Sequence, residues 1–175
     1  RPNLRPTVVD PEALRDTFRA DVLEGLARPR KSIPPAHLYD ARGSELFERI
    51  CALEEYYPTR TEDAIVDGRI DEIAAALGPA VTLIEPGAGS GEKAARLLAR
   101  LDRPRAFVPI EISRSALEAA AERLADRFPA LEVRPVCADF LGDVAGALGA
   151  PRPEDAGRRV VHFPGSTIGN LERAG

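Results

Sequence analysis

The chain has 175 residues, 44% of them hydrophobic and 30% charged, with a formal net charge of −4. That is enough for one domain with a real core but short for two, and the mildly acidic balance argues against a dedicated nucleic-acid binder. No run approaches the roughly 18 apolar residues of a membrane span. Two distant cysteines, Cys51 and Cys137, and two histidines, His37 and His162, argue against a disulfide framework or a metal site, so no metal is assigned.

Residues 1–10 carry two prolines and little periodicity, and read as an extended arm. Asp10-Pro11-Glu12 has the form of a helix start, with an acceptor at the N-cap, proline at N1 and an acid in the first turn. Leu14, Phe18, Val22 and Leu26 then share one face and predict a helix to about Ala27. Residues 28–35 are a basic, proline-rich break. Residues 44–51 predict a short helix presenting Leu46, Phe47 and Ile50. Thr59 to Glu62 has capping-box spacing and predicts the opening of a longer helix, which Gly78-Pro79 ends.

From residue 81 the texture alternates between strand and helix. Strands are predicted at 81–84, 106–110, 131–136 and 160–163. Between them lie helical stripes, one of Ala94, Leu97, Leu98 and Leu101, one of Leu117, Ala120, Ala121, Leu124 and Phe128, and a weak one over 141–148. This series predicts an α/β fold, a parallel sheet with helices on its faces. Ligands of such sheets sit beyond the carboxyl ends of the strands.

Those ends carry the chemistry. Glu85-Pro86-Gly87-Ala88-Gly89-Ser90-Gly91 follows the first strand and opens a helix. The glycines permit a sharp turn and close approach of a ligand to the main chain. A dinucleotide fingerprint would need a glycine where Glu92 stands, and Lys93 lacks the context of a phosphate-binding loop. Gly-x-Gly-x-Gly after an acid resembles the first motif of class I S-adenosylmethionine-dependent methyltransferases. The plain alternative is a tight structural turn. Glu111, at the second strand end, can take both hydroxyls of a ribose. Asp139 can accept from an adenine amino group while Phe140 covers the ring. Each acid alone could be a helix cap, but three at successive strand ends describe a nucleoside site. All three tyrosines, Tyr39, Tyr56 and Tyr57, cluster in the N-terminal half, as a lid or substrate pocket would require, or as packing for the helices there.

Three polar-aromatic segments (31–35, 39–47 and 55–62), Glu92-Lys93, and Gly165-Ser166-Thr167-Ile168-Gly169-Asn170 together resemble the histidine Nα-methyltransferase family of ergothioneine biosynthesis, from about residue 12 to residue 173. The resemblance implies a Rossmann-like class I methyltransferase fold and S-adenosylmethionine as donor. It also implies trimethylation of the histidine α-amine to hercynine. It places Gly87 and its loop, which includes Gly89 and Gly91, with Lys93 at the methionine part of the cofactor, and counts Glu85 among the cofactor-binding residues. Glu111 falls at the ribose, where the family usually has Asp, and Asp139 with Phe140 at the adenine. Tyr39 falls near the substrate imidazole, and Tyr56 and Asn170 around its carboxylate and amine, with Gly165 offering its main chain.

Residues 1–79 are expected to be an N-terminal helical or lid segment and 80–175 the first part of the cofactor-binding domain. The absence of methionine and the ending after strand four suggest a piece of a longer protein, inactive alone, with a sheet edge uncovered. The whole protein is expected to be a cytoplasmic monomer that acts on a small amino acid, touches neither nucleic acid nor membrane, and assigns no residue as acid or base. The alternatives are a methyltransferase acting on another amine and a nucleoside-binding domain without catalysis.

Overall fold

The computed structural model describes residues 1–10, 16–38, 40–141, 148, 157–165 and 167–170. Among the described residues, six strands form one sheet: β1 (Val8–Val9), β2 (Thr82–Pro86), β3 (Ala106–Glu111), β4 (Glu132–Val133), β5 (Val136–Cys137) and β6 (Arg159–Val161). The α-helices described beside them are α1 (Phe18–Ala27), α2 (Ala41–Cys51), α3 (Tyr57–Leu77), α4 (Glu92–Leu98) and α5 (Arg114–Arg127). The order across the sheet is β1-β5-β3-β2-β6, with β4 also on β3, and every pairing is parallel. This is the parallel α/β architecture that the alternation of strand and helix predicts, in the Rossmann-like form that the resemblance implies.

β2 and β3 hold the centre because their runs are apolar on both faces, as strands covered on both sides must be. They pair from Thr82↔Ala106 to Pro86↔Ile110. On its other side β2 pairs with β6, from Thr82↔Arg159 to Ile84↔Val161. The two faces separate by strand alternation. Leu83 and Phe107, both fully buried, enter a core with Ile70 and Ala74 of α3, Ala94, Ala95, Leu97 and Leu98 of α4, and Leu124 of α5. Ile84, Val108 and Ile110 face the other way into a smaller cluster with Val136 and Ala138, on which Phe140 and Leu148 pack. α3, α4 and α5 therefore all serve one face.

Several local expectations shift. The expected third strand is two short ones, because Pro135 has no N–H to give a ladder. The expected arm is partly β1, which pairs Val8↔Val136 and Val9↔Cys137 and so occupies one sheet edge. The last strand stops at Val161, although His162 N still donates to Ile84 O at 2.8 Å. α2 begins at Ala41 rather than Ser44, because Asp40 caps it by accepting from Gly43 N at 2.7 Å. α3 begins at Tyr57 with Pro58 in its first turn, so Thr59 lies inside the helix and makes no cap. The Asp10-Pro11-Glu12 helix start and most of the weak 141–148 helix fall outside the described residues. In α1 the expected apolar stripe does not become core: Phe18 and Leu26 are exposed, and Phe18 meets His37 edge-on at 5.2 Å. The helix instead docks through Gly25, where an added Cβ would lie 1.9 Å from Ser32 O.

No helix among the described residues is long and apolar enough to cross a membrane. Thr82 lies in the central strand with only 3% exposure, and its Oγ1 is buried without a hydrogen-bond partner among the described residues. Burying an unpaired hydroxyl costs about 1–3 kcal/mol. Thr82→Val keeps the branched shape and β preference, so it is expected to raise unfolding stability by about 1 kcal/mol in denaturant titration.

Candidate active site

The glycine loop leaves β2 and enters α4. Gly87, Gly89 and Gly91 have φ of 67°, 51° and 72°, the left-handed region that side chains resist. Ile110 O accepts from Gly87 N at 2.8 Å and Ala88 N at 3.1 Å, which ties the loop to the end of β3. The three glycines answer to different demands. A Cβ at Gly91 would lie 2.8 Å from Leu124 Cδ1, so this position is set by packing on α5. A Cβ at Gly87 would meet Phe140 Cε1 at 3.6 Å. A Cβ at Gly89 would meet nothing within 4 Å, so the loop is open there.

Of the strand-end acids, Glu111 bonds to this loop and Asp139 sets the turn that brings Phe140 to it. Glu111 accepts from Gly89 N at 3.1 Å with Oε2 and from Ser113 N at 3.1 Å with Oε1, and so joins the loop to the start of α5. Asp139 Oδ1 accepts from Leu141 N at 2.9 Å, which turns the chain just after β5 and sets Phe140 beside Gly87. Phe140 packs edge-on against Phe163 at 5.6 Å. Phe163 was expected inside the fourth strand. It stands beyond that strand instead, and completes an aromatic corner with Phe140. Its signal in the sequence was an aromatic residue at a strand's carboxyl end.

Glu85 behaves differently from the other two acids. Only 2% of it is exposed, and its Oε2 lies 3.0 Å from Nδ1 of His162. Burial pushes its pKa up, against the opposing hydrogen bond and charge of His162. Glu62 is the contrasting case. Its Oε1 accepts from Gly165 N at 2.7 Å, and its Oε2 pairs with the Lys93 ammonium. Burial works to raise its pKa, but the Lys93 and Gly165 contacts together pull it below the usual carboxylate range. In the sequence Glu62 is marked by its capping-box spacing and its place in the 55–62 segment, and neither signal gives its reach across to Lys93 and Gly165.

The structure thus brings together Glu85, Gly87, Gly89, Gly91, Lys93, Glu111, Asp139, Phe140 and Gly165. Tyr56 stands at the N-cap of α3 and packs edge-on against Phe47 at 6.3 Å. Tyr39 lies outside the described residues. Asn170 ends the 3₁₀ turn Thr167–Asn170, and its side chain lies outside them too. An adenosine-bearing cofactor suits these residues: a glycine loop open at Gly89, the Glu111 and Asp139 carboxylates as acceptors for hydroxyl and amino donors, and Phe140 flanking the loop.

The buried acid gives a pH test. A carboxyl whose pKa is raised on folding holds its proton more tightly folded than unfolded. Its contribution to stability is therefore present in acid and lost as pH rises from the ordinary carboxylate range through the raised folded value. Glu85→Gln keeps an oxygen for His162 and removes the charge. Unfolding titrations from pH 4 to 8 are expected to show stability shifting in favour of the variant as pH rises, by at most about 1.4 kcal/mol per pH unit.

Residues 18–175 match the family described as histidine-specific, S-adenosylmethionine-dependent methyltransferases. The chain is 41% identical over 169 residues to a histidine N-alpha-methyltransferase of Mycolicibacterium smegmatis, covering 93% of this chain and 50% of that protein. It is 43% identical over 157 residues to the histidine N-alpha-methyltransferase of Mycobacterium tuberculosis, covering 88% and 47%. It is also 32% identical over 161 residues to ergothioneine biosynthesis protein 1 of Neurospora crassa, covering 87% and 18%. The chain spans about half the length of the two mycobacterial relatives. A family match over residues 18–175, together with two relatives more than 40% identical over most of the chain, places it in the histidine-specific, S-adenosylmethionine-dependent methyltransferase family.

Proposed function

We propose that this chain contributes the cofactor site and part of the acceptor site of an S-adenosylmethionine-dependent N-methyltransferase that converts L-histidine to its trimethylated α-amine, hercynine. The observation that carries the reading is the gathering of Glu111, Asp139 and Phe140 around a three-glycine loop at the carboxyl ends of parallel strands. Family membership and two relatives named histidine N-alpha-methyltransferase support the acceptor.

When bound, the cofactor supplies a methyl group activated on a sulfonium sulfur. The chain's own residues then bind and orient. Glu111 takes the ribose hydroxyls, Asp139 the adenine amino group, and Phe140 the ring face. The Gly87–Gly91 loop and Lys93 take the methionine end, with Glu85 at the loop's root. Tyr39, Tyr56, Asn170 and the Gly165 main chain hold the acceptor amino acid, so that its nitrogen is presented at near-attack distance. No residue is assigned as a dedicated acid or base. The acceptor amine must be neutral, and partial desolvation next to a cation favours that form. The growing quaternary ammonium suits tyrosine faces. Two unpaired cysteines, Cys51 half-buried and Cys137 buried, support a reducing, cytoplasmic setting. We take the working unit to be a monomer.

Incubation of the full-length protein with S-adenosylmethionine and histidine is expected to yield mono-, di- and trimethylhistidine by mass spectrometry. Calorimetric cofactor binding without product would retain the methyltransferase and discard histidine, and the absence of both would overturn the reading. Tyr56→Phe is expected to weaken histidine binding about tenfold and to leave cofactor binding within about twofold, since it removes one hydroxyl from the acceptor side. Equal losses in the two titrations would remove Tyr56 from that role.

A further inference from the structure

One carboxylate joins three segments that are far apart in the chain. Glu62 lies in the second turn of α3, Lys93 in the first turn of α4, and Gly165 in the loop after β6. Glu62 engages both partners at once, with a different oxygen for each. The Lys93 and Glu62 side chains are 28% and 24% exposed, so the pair is largely withdrawn from solvent. Gly165 has φ 83°, and a Cβ there would sit 3.6 Å from Lys93 Nζ, so ammonium and loop backbone are neighbours.

Glu62 is itself held in place. On the same helix, Asp63 and Asp67 pair with Arg96 of α4, and Asp71 pairs with Arg100 one turn beyond. All the acids of this ladder belong to α3 and all the cations to α4 or the turn after it, which fixes the axial register of the two helices. Arg60 closes the other side. Its guanidinium donates to the main-chain oxygens of Leu53 and Glu54, and so fastens the loop that carries Tyr56 to the same stretch of helix as Glu62.

We propose that Glu62 is a positioning residue for methyl transfer: its shared carboxylate holds the Lys93 ammonium on the cofactor side and the Gly165 amide on the acceptor side in a fixed relation. This rests on the methyltransferase reading of the site. Glu62 touches neither ligand in this role; it acts through its two partners. An unpaired lysine would spread over many rotamers, and a glycine loop with an unpaired amide would lose a fixed point. Two halves of a transfer site held to one atom group lose less order on binding than halves that are set separately.

Two variants divide the carboxylate's tasks. Glu62→Gln keeps an oxygen for Gly165 N but loses the charge that holds Lys93. Glu62→Ala loses both. In the full-length protein, three quantities are measured: amide hydrogen exchange at Gly165 without ligand, and calorimetric affinity for S-adenosylhomocysteine and for histidine. For Glu62→Gln, the S-adenosylhomocysteine Kd is expected to rise about tenfold, with Gly165 exchange and histidine Kd within about twofold of the parent. For Glu62→Ala, Gly165 exchange is expected to quicken about tenfold and both Kd values to rise. Parent-like exchange and affinities in Glu62→Ala would overturn the proposal. So would losses in Glu62→Gln that fall equally on both ligands and track a lowered Tm, since those would mark a merely structural contact. If the parent binds neither ligand, the methyltransferase reading falls, and this role with it.

Discussion

The position of β2 is the constraint on which the rest depends. It is hydrogen-bonded to β3 on one side and β6 on the other, and Thr82 to Glu85 are buried. Parallel pairing on both sides leaves no freedom about where the strands end. The turns after β2, β3, β5 and β6 must all open at the same edge. The glycine loop, Glu111, the Asp139 turn and Phe163 are neighbours for that reason, although their segments are well separated in the chain. The loop's attachment to Ile110 O extends the β2–β3 register one step past the strands, and so carries sheet precision into the site.

Two carboxylates in this small region meet opposite fates, and burial explains both only in combination with partners. Glu85 is enclosed and has His162 for company, and desolvation wins. Glu62 is also partly desolvated, but a full cation and an amide outweigh that cost. The charge of Lys93 is balanced locally by Glu62, while burial raises the pKa of Glu85 at the root of the loop. α3 is more than a cover for the sheet. Its buried face supplies Ile70 and Ala74 to the core, while its acidic face sets its register on α4.

Much of the fold was legible because its signals are local. The apolar runs of β2 and β3 and the three glycines each imply their conformation from nearest neighbours. Gly78 at φ 78° ends α3 as expected, since few other residues accept that backbone there. The start of α3 was misread because two local signals competed. Thr59 to Glu62 carries capping-box spacing, but Pro58 starts the helix earlier and frees Glu62. Leu14, Phe18, Val22 and Leu26 have helical spacing, yet periodicity says only that a face is apolar and not what covers it. Phe18 and Leu26 stay exposed in the described structure.

By itself, then, the sequence determined the parallel α/β class, the glycine loop after the first long strand, and the acids at three strand ends. Periodicity, turn chemistry and strand termini are properties of short segments, so they survive without knowledge of the fold. Only the tertiary structure decided that Glu85 is enclosed against His162, that Phe163 joins Phe140, and that Glu62 spans Lys93 and Gly165. Each of these is a contact between segments distant in the chain. Its partner is chosen by sheet order and helix register, and its electrostatics by a burial that no local window of sequence contains.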